Sequence, residues 1–402
     1  MFRTDAVSGE RRTILFLNVG HTLDHLFMLI YPTVILAMSA EMQRPYGELL
    51  PLALGGFIAF GAFSIPSGWI ADRWSRFGMM VLFFFGIGVA SVLTGLARTP
   101  FEIAAGLTLI GAFAAIYHPV GTAMLVANAS PAKLGRTLGI NGVYGNMGLA
   151  FSALLAGAMA DTFGWRWAFI VPGLLSIGVG ALFARLQLHS AVTSVQARPA
   201  PQRLPRALFA RVFVVLTVSI ICNGLIFSST TISMPRVFYE RLAGLTQSTL
   251  GIGALVCGVY AVAAMAQLVV GWLIDRRPVR GVFAVVMAMQ VPLLFLAGTM
   301  QNYLMLAVAL AMMFFVFGQV PINDAMIARY TAEEWRARAY SVRYVMSFSA
   351  SALSVPLVAF IHRTTGDFGP LFTILAALAL VAFAAALAFP REPQRVPAAV
   401  SS

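Results

Sequence analysis

The chain has 402 residues, of which 59% are hydrophobic and only 10% charged, with a mean hydropathy of +0.85. Soluble domains carry about 25% charged residues, so this composition excludes an ordinary globular protein and places the chain in a lipid bilayer. The net charge of +12 would point to nucleic acid in a soluble protein; in a membrane protein its distribution reports topology, and no nucleic-acid partner is expected.

A membrane-spanning helix needs about 20 mostly apolar residues. Twelve stretches qualify, near 13–38, 47–71, 77–97, 102–127, 136–160, 166–187, 209–234, 248–274, 280–298, 302–327, 338–361 and 368–389. None shows the alternating pattern of an outer-membrane barrel strand. The expected fold is therefore an all-α membrane protein with twelve transmembrane helices.

The first stretch follows Arg11 and Arg12, as a signal peptide would, but it is too long for a signal h-region and is interrupted by His21, Asp24 and His25. It reads as a retained helix. Asn18, His21, Thr22 and His25 fall at i, i+3, i+4 and i+7 and share one face, with Asp24 on its flank. A charged Asp at the bilayer centre costs roughly 2.5–3.5 kcal/mol. A carboxylate and imidazoles held together in a partly wet cavity can exchange protons near neutral pH. Interhelical packing is the plainer role for such histidines, and a transition-metal site is a third reading.

After the second stretch comes GWIADRWSR, with Gly68, Asp72, Arg73 and Arg76; the pattern returns in GWLIDRRPVR, with Gly271, Asp275, Arg276 and Arg280. The offset of 203 residues is close to half the chain, and Arg136 and Arg338, opening the fifth and eleventh stretches, repeat at 202. Two agreeing registers predict two pseudo-symmetric six-helix bundles, residues 1–187 and 209–402, the latter with a short tail, joined by a polar, Pro-rich and basic linker over 188–208. A doubled bundle with a charged loop in each half is the architecture of a secondary transporter.

With the N-terminus inside, 21 of the 27 Lys and Arg fall on the cytoplasmic side. Both termini are therefore expected in the cytoplasm, in a multi-pass protein of the bacterial inner membrane. Cys222 and Cys257 both lie within predicted helices. They predict neither a structural disulfide nor a metal framework of their own.

The seventh stretch is unusually polar, with Asn223, Ser228, Ser229, Thr230, Thr231 and Ser233. That predicts a helix locally unwound or facing water, or else hydroxyls bonded back to their own helix. The tenth stretch carries Gln319, Asn323 and Asp324 around Pro321, where a kink is expected. Arg343 stands about two turns inside the eleventh, at the position matching Asn141 by the 202-residue offset. A buried Arg needs a partner, either Asp324 or an anionic substrate. Phe27, Tyr31, Tyr117, Tyr144 and Tyr344 line a pocket or serve as packing and interface anchors.

These features resemble the major facilitator superfamily along essentially the whole chain. Gly68, Asp72, Arg73 and Arg76 match its loop motif, with Ser75 where the family usually has Gly, and Gly164-Trp165-Arg166-Trp167-Ala168-Phe169 resembles its pattern entering the sixth helix. Tyr31-Pro32, Tyr117-His118-Pro119 and Gly145-Asn146-Met147-Gly148 are most similar to the fosmidomycin-resistance exporters. The chain departs from drug-proton antiporters in having no Arg in the fourth helix, and Ser152-Ala153 where a Gly-Pro pair is usual.

The resemblance implies that the first, fourth, seventh and tenth helices line a central cavity, bringing His118 toward Asp24, His21 and His25 as a proton-coupling cluster. The substrate cavity is then expected from Asn18, Tyr117, Asn141, Asn146, Asn223, Ser229, Thr230, Gln319, Asn323 and Arg343. Gly68, Asp72, Arg73 and Arg76, with Gly271, Asp275, Arg276 and Arg280, are expected to form a cytoplasmic gate. In it a carboxylate accepts from a neighbouring helix N-terminus and pairs with an Arg, holding the halves closed.

The expected function is proton-coupled efflux of a small molecule by a monomer, with no cofactor. Import of a small organic anion or metal chelate, and a receptor or sensor role without transport, are the alternatives. An enzyme is not expected, since no His-Glu-x-x-His and no phosphate-binding Gly loop is present.

Overall fold

A computed structural model of the chain describes residues 2–130, 134–186, 206–330 and 333–390. Within them, twelve helices are long and apolar enough to cross a bilayer. In chain order they are α1 (Gly9–Glu41), α2 (Tyr46–Arg73), α3 (Arg76–Leu96), α4 (Pro100–Asn128), α5 (Arg136–Thr162), α6 (Trp167–Arg185), α7 (Arg211–Arg241), α8 (Thr249–Arg276), α9 (Val279–Ala297), α10 (Asn302–Ile327), α11 (Val345–Thr365) and α12 (Gly369–Ala388). No strand occurs among the described residues. Of the linker expected over 188–208, residues 188–205 lie outside the described residues.

The repeat seen as a sequence offset returns as packing. In the first half α1 packs on α5, α2 on α4 and α3 on α6; in the second, α7 packs on α11, α8 on α10 and α9 on α12. The halves meet chiefly along α5 with α8 and α2 with α11. Large apolar side chains such as Trp69, Phe101, Leu174, Val285 and Leu304 stand exposed on the outside. An apolar surface of that extent needs lipid as its solvent.

Local chemistry sets several helix starts. Ser75 caps α3 by accepting from the Gly78 amide, Thr99 caps α4 ahead of Pro100, and Ser248 caps α8 by accepting from the Gly251 amide.

Three features of the helices matter for the site. α4 passes through a π turn at Tyr117–Gly121, where Pro119 lacks the amide that a regular turn would use. α10 is two segments, Asn302–Gly318 and Val320–Tyr330, meeting at Gln319. The break falls before Pro321 because an early helical position needs no proline amide. The third feature is a helix that stays regular. α7 runs unbroken through its Ser/Thr stretch, with Thr230 and Thr231 donating to the carbonyls of Ile226 and Phe227 one turn back. Of the two readings of this stretch, hydroxyl back-bonding is the one Thr230 and Thr231 adopt.

Candidate transport site

α1 and α4 bring together the first group of predicted residues. His21 Nδ1 lies 2.8 Å from the Asn141 main-chain carbonyl of α5. A carbonyl can only accept, so this nitrogen donates and, in the neutral ring, the Nε2 lone pair points away from α5. That atom lies 3.1 Å from His25 Nε2. His118, re-aimed by the π turn, places Nε2 3.3 Å from Asp24 Oδ2. Asp24 is fully buried, and neither carboxylate oxygen accepts an aligned hydrogen bond. One donor nitrogen from each of His21, His25 and His118 lies within 4.8 Å of the others.

A polar lattice holds this cluster in place. Asn141 Nδ2 donates to Asn18 Oδ1 and to the Tyr117 hydroxyl, both at 2.9 Å, and that hydroxyl donates to the Leu17 carbonyl at 2.8 Å. The Tyr117 ring stacks on His21 with centroids 4.9 Å apart. Two glycines of α5 permit the approach. A Cβ on Gly145 would lie 2.6 Å from the His21 ring, and one on Gly148 only 2.2 Å from the Thr22 carbonyl. The rings of Phe60 of α2 and Phe348 of α11 lie tilted against each other with centroids 4.4 Å apart, and both lie within 6 Å of His118. The cluster therefore sits where the halves meet.

The second-half residues form a separate network. Asn223 Nδ2 donates to Ser219 Oγ, which donates to Asn323 Oδ1, each at 2.9 Å. Gln319 Nε2 donates to the Asn223 carbonyl at 3.2 Å, while Gln290 of α9, absent from the sequence expectation, donates to Gln319 Oε1 at 3.3 Å. Ser229 and Thr230 are fully buried. Arg343 forms an ion pair with Asp324, the structural one of its two expected partnerships. Asn146 accepts from Gln267 of α8 at 3.3 Å, linking the halves. An apolar groove of about 450 Å³ between α8, α9 and α10, lined by Val270, Leu273, Phe314 and Phe315 among others, includes none of these residues.

The loop motifs make local contacts. Asp72 Oδ1 accepts from Arg76 Nε at 3.2 Å and Nη2 at 2.8 Å within its own exposed loop. Arg73 lies over the Trp69 ring and Arg276 over Trp272, while Arg280 donates to the Leu387 carbonyl of α12 at 2.6 Å. A Cβ on Gly68 would approach Pro119, whereas Gly271 faces open space, and Asp275 sits in the last turn of α8. The bonds made by Asp72, Arg76 and Arg280 stay within a half and do not clasp the two together.

Among the described residues, Asp161, at the opposite end of the bundle, is a carboxylate that caps a helix of the other half. Its two oxygens accept from the Thr249 and Leu250 amides of α8, at 3.2 and 2.7 Å. At the same end, along the other contact between the halves, Tyr46 of α2 packs edge-on against His362 of α11, which lies 2.8 Å from Glu240. The sequence marks Asp161 only as an acid in the last turn of α5, with nothing pointing to its partner.

Comparison with known proteins agrees with this architecture. A stretch of 115 residues is 30% identical to the puromycin resistance protein pur8 of Streptomyces alboniger, covering 28% of this chain and 23% of that protein. Another of 128 residues is 28% identical to a multidrug resistance protein B homologue of Mycobacterium tuberculosis, covering 32% and 23%. The matches thus span under a quarter of those relatives. A bacterial homologue of the human lysosomal transporter Spinster, solved in an inward-facing and unoccupied conformation, superposes with a TM-score of 0.71 over 95% of both chains at 15% identity, a likeness of fold. The family model of the Major Facilitator Superfamily matches residues 22–320 and 216–401. With its two matched six-helix halves and that match across almost all of its length, the chain belongs to the major facilitator superfamily of membrane transporters.

Proposed function

We propose that this protein exports a small molecule by alternating access, driven by protons that enter through the cluster of Asp24, His21, His25 and His118. The observation that carries the reading is the convergence of a buried carboxylate and three imidazoles from two helices, under Phe60 and Phe348 at the junction of the halves. Such a carboxylate is costly to keep in a membrane helix and marks a functional site by default. Protonation of Asp24 removes its charge, weakens the Asp24–His118 contact and loosens α1 from α4, so that proton entry on one side is tied to rearrangement of the cavity.

In this reading Asn18, Tyr117, Asn141 and Asn146 form one polar wall, and Asn223, Ser229, Thr230, Gln319, Asn323 and Arg343 form the other. The exposed loop motifs at Gly68, Asp72, Arg73 and Arg76 and at Gly271, Asp275, Arg276 and Arg280 become the gate when the bundles rock to the opposite state. The protein works as a monomer of 1–187 and 209–402 bundles, in the bacterial inner membrane with both termini in the cytoplasm. The names of the puromycin and multidrug resistance relatives support export, and the fosmidomycin-resistance exporters are the subgroup its short motifs favour.

The test is growth of a sensitised bacterium expressing the chain against phosphonate antibiotics, lipophilic cations and toxic metal ions. Protection against one class, reduced about tenfold or more by Asp24→Asn at equal membrane expression, is the expected result. Undiminished proton-driven export by Asp24→Asn would remove that residue from the mechanism. No protection against any class would overturn export.

A further inference from the structure

We propose that His21, His25, His118 and Asp24 form a binding site for one divalent first-row transition-metal ion of the zinc or cobalt type. The donor set is three imidazole nitrogens and one carboxylate oxygen. It is too rich in nitrogen for magnesium or calcium and lacks the thiolates that select copper(I). Cys222 and Cys257, on α7 and α8, are not part of the cluster.

The spacing fits. Four ligands at about 2.0–2.1 Å around a tetrahedral ion lie about 3.3–3.4 Å from one another. The His21 and His25 Nε2 atoms are 3.1 Å apart, and His118 Nε2 and Asp24 Oδ2 are 3.3 Å apart. The widest separation among the three imidazoles, at most 4.8 Å, closes by rotation of partly exposed rings. The orientation fits as well. Metal-binding imidazoles donate their remaining N–H to a carbonyl or carboxylate, which fixes the tautomer. His21 does so to the Asn141 carbonyl, and Tyr117 stacked on its ring holds the plane.

Asp24 supplies the second, independent observation. It is fully buried; Oδ2 lies 3.3 Å from His118 Nε2, and Oδ1 has no hydrogen-bond partner. A packing cluster has no use for a buried carboxylate oxygen left without a donor, whereas a cation beside it offsets its charge. Phe60 and Phe348 close one side of the site with apolar surface, which strengthens ion–ligand attraction by excluding water. Metal and protons compete for the same lone pairs, so one cluster serves both this proposal and proton exchange.

The experiment is a titration of the purified full-length chain, carrying no polyhistidine tag, with cobalt(II) followed by visible absorption. The expected result is one ion per chain, with the intense bands of four- or five-coordinate cobalt, displaced by zinc. His21→Ala and Asp24→Asn should each weaken binding by about 100-fold or more, beyond the 10–100-fold typical of supporting residues. Cys222→Ser with Cys257→Ser, and separately His362→Gln, should leave it unchanged. His25→Gln and His118→Gln serve if His21→Ala fails to elute as folded protein. Absence of the bands, or binding indifferent to the cluster variants that remain folded, overturns the site. The readout involves no transport step, so its failure leaves the export reading standing, and a failure of export leaves the site standing.

Discussion

Around the cluster the tightest steric limits fall on glycines of α5 and not on charged groups. A side chain at Gly148 would press on the Thr22 carbonyl of α1, whereas one at Gly142, six residues earlier on the same helix, meets nothing within 4 Å. Overpacking costs about 1–3 kcal/mol, so Gly148→Val should lower the thermal midpoint of the purified protein by several degrees while Gly142→Val leaves it unchanged. Equal effects would mean that valine itself disturbs α5. Asp367, between α11 and α12, offers a pH test. Burial pushes its carboxyl up, but hydrogen bonds from Arg241 and the Gly369 amide outweigh burial and hold it below the ordinary 3.8. A carboxylate lowered in the folded state adds stability above its unfolded value, and that stability is lost as pH falls through the folded one. The side chain is more than half exposed, so the effect is small. The midpoint advantage of the native chain over Asp367→Asn should hold at neutral pH and shrink below 3.8, as a melting series across pH will register.

At the scale of elements, irregular turns do what regular helices could not. The π turn at Tyr117–Gly121 gives α4 an extra residue and aims both Tyr117 and His118 at α1. Its motif was legible as Tyr117-His118-Pro119, but its geometry was not, because a proline in a span is compatible with a kink, a bulge or a break. Pro119→Ala restores an amide and favours a regular turn, which rotates His118 away from Asp24. Export should fall about tenfold with little loss of expression; unchanged export would show that the turn only accommodates the proline. α7 teaches the converse. Its row of hydroxyls reads in sequence either as an unwound, wet stretch or as back-bonding, and Thr230 and Thr231 bond back to Ile226 and Phe227 within an intact helix.

For the whole molecule, the decisive contact is Asp161 on the first turn of α8. Two amide donors and the positive end of a long helix are joined to one carboxylate across the halves. At an exposed site such bonds contribute about 1 kcal/mol, or roughly fivefold in a two-state equilibrium. Asp161→Ala should therefore lengthen the mean distance between spin labels on the α5–α6 and α7–α8 loops, toward a state open at that end. An unchanged distance distribution would mean that α2 with α11 and the remaining contacts of α5 and α8 hold the closure without it.

Membrane residence and the number of spans followed from sequence alone, because hydropathy over about 20 residues is a property of the chain read in order, as is the repeat near 203 positions. The α1 face bearing Asn18, His21, Thr22 and His25 was legible for the same reason, since helical periodicity is local. Tertiary structure decided which carboxylate spans the halves, why Gly145 and Gly148 are needed, that Gln290 joins the second network, and that His118 reaches Asp24 at 3.3 Å. Each of these depends on the register of one helix against another. That register is set by side-chain shape and bulk summed along both surfaces, which no single segment of sequence contains.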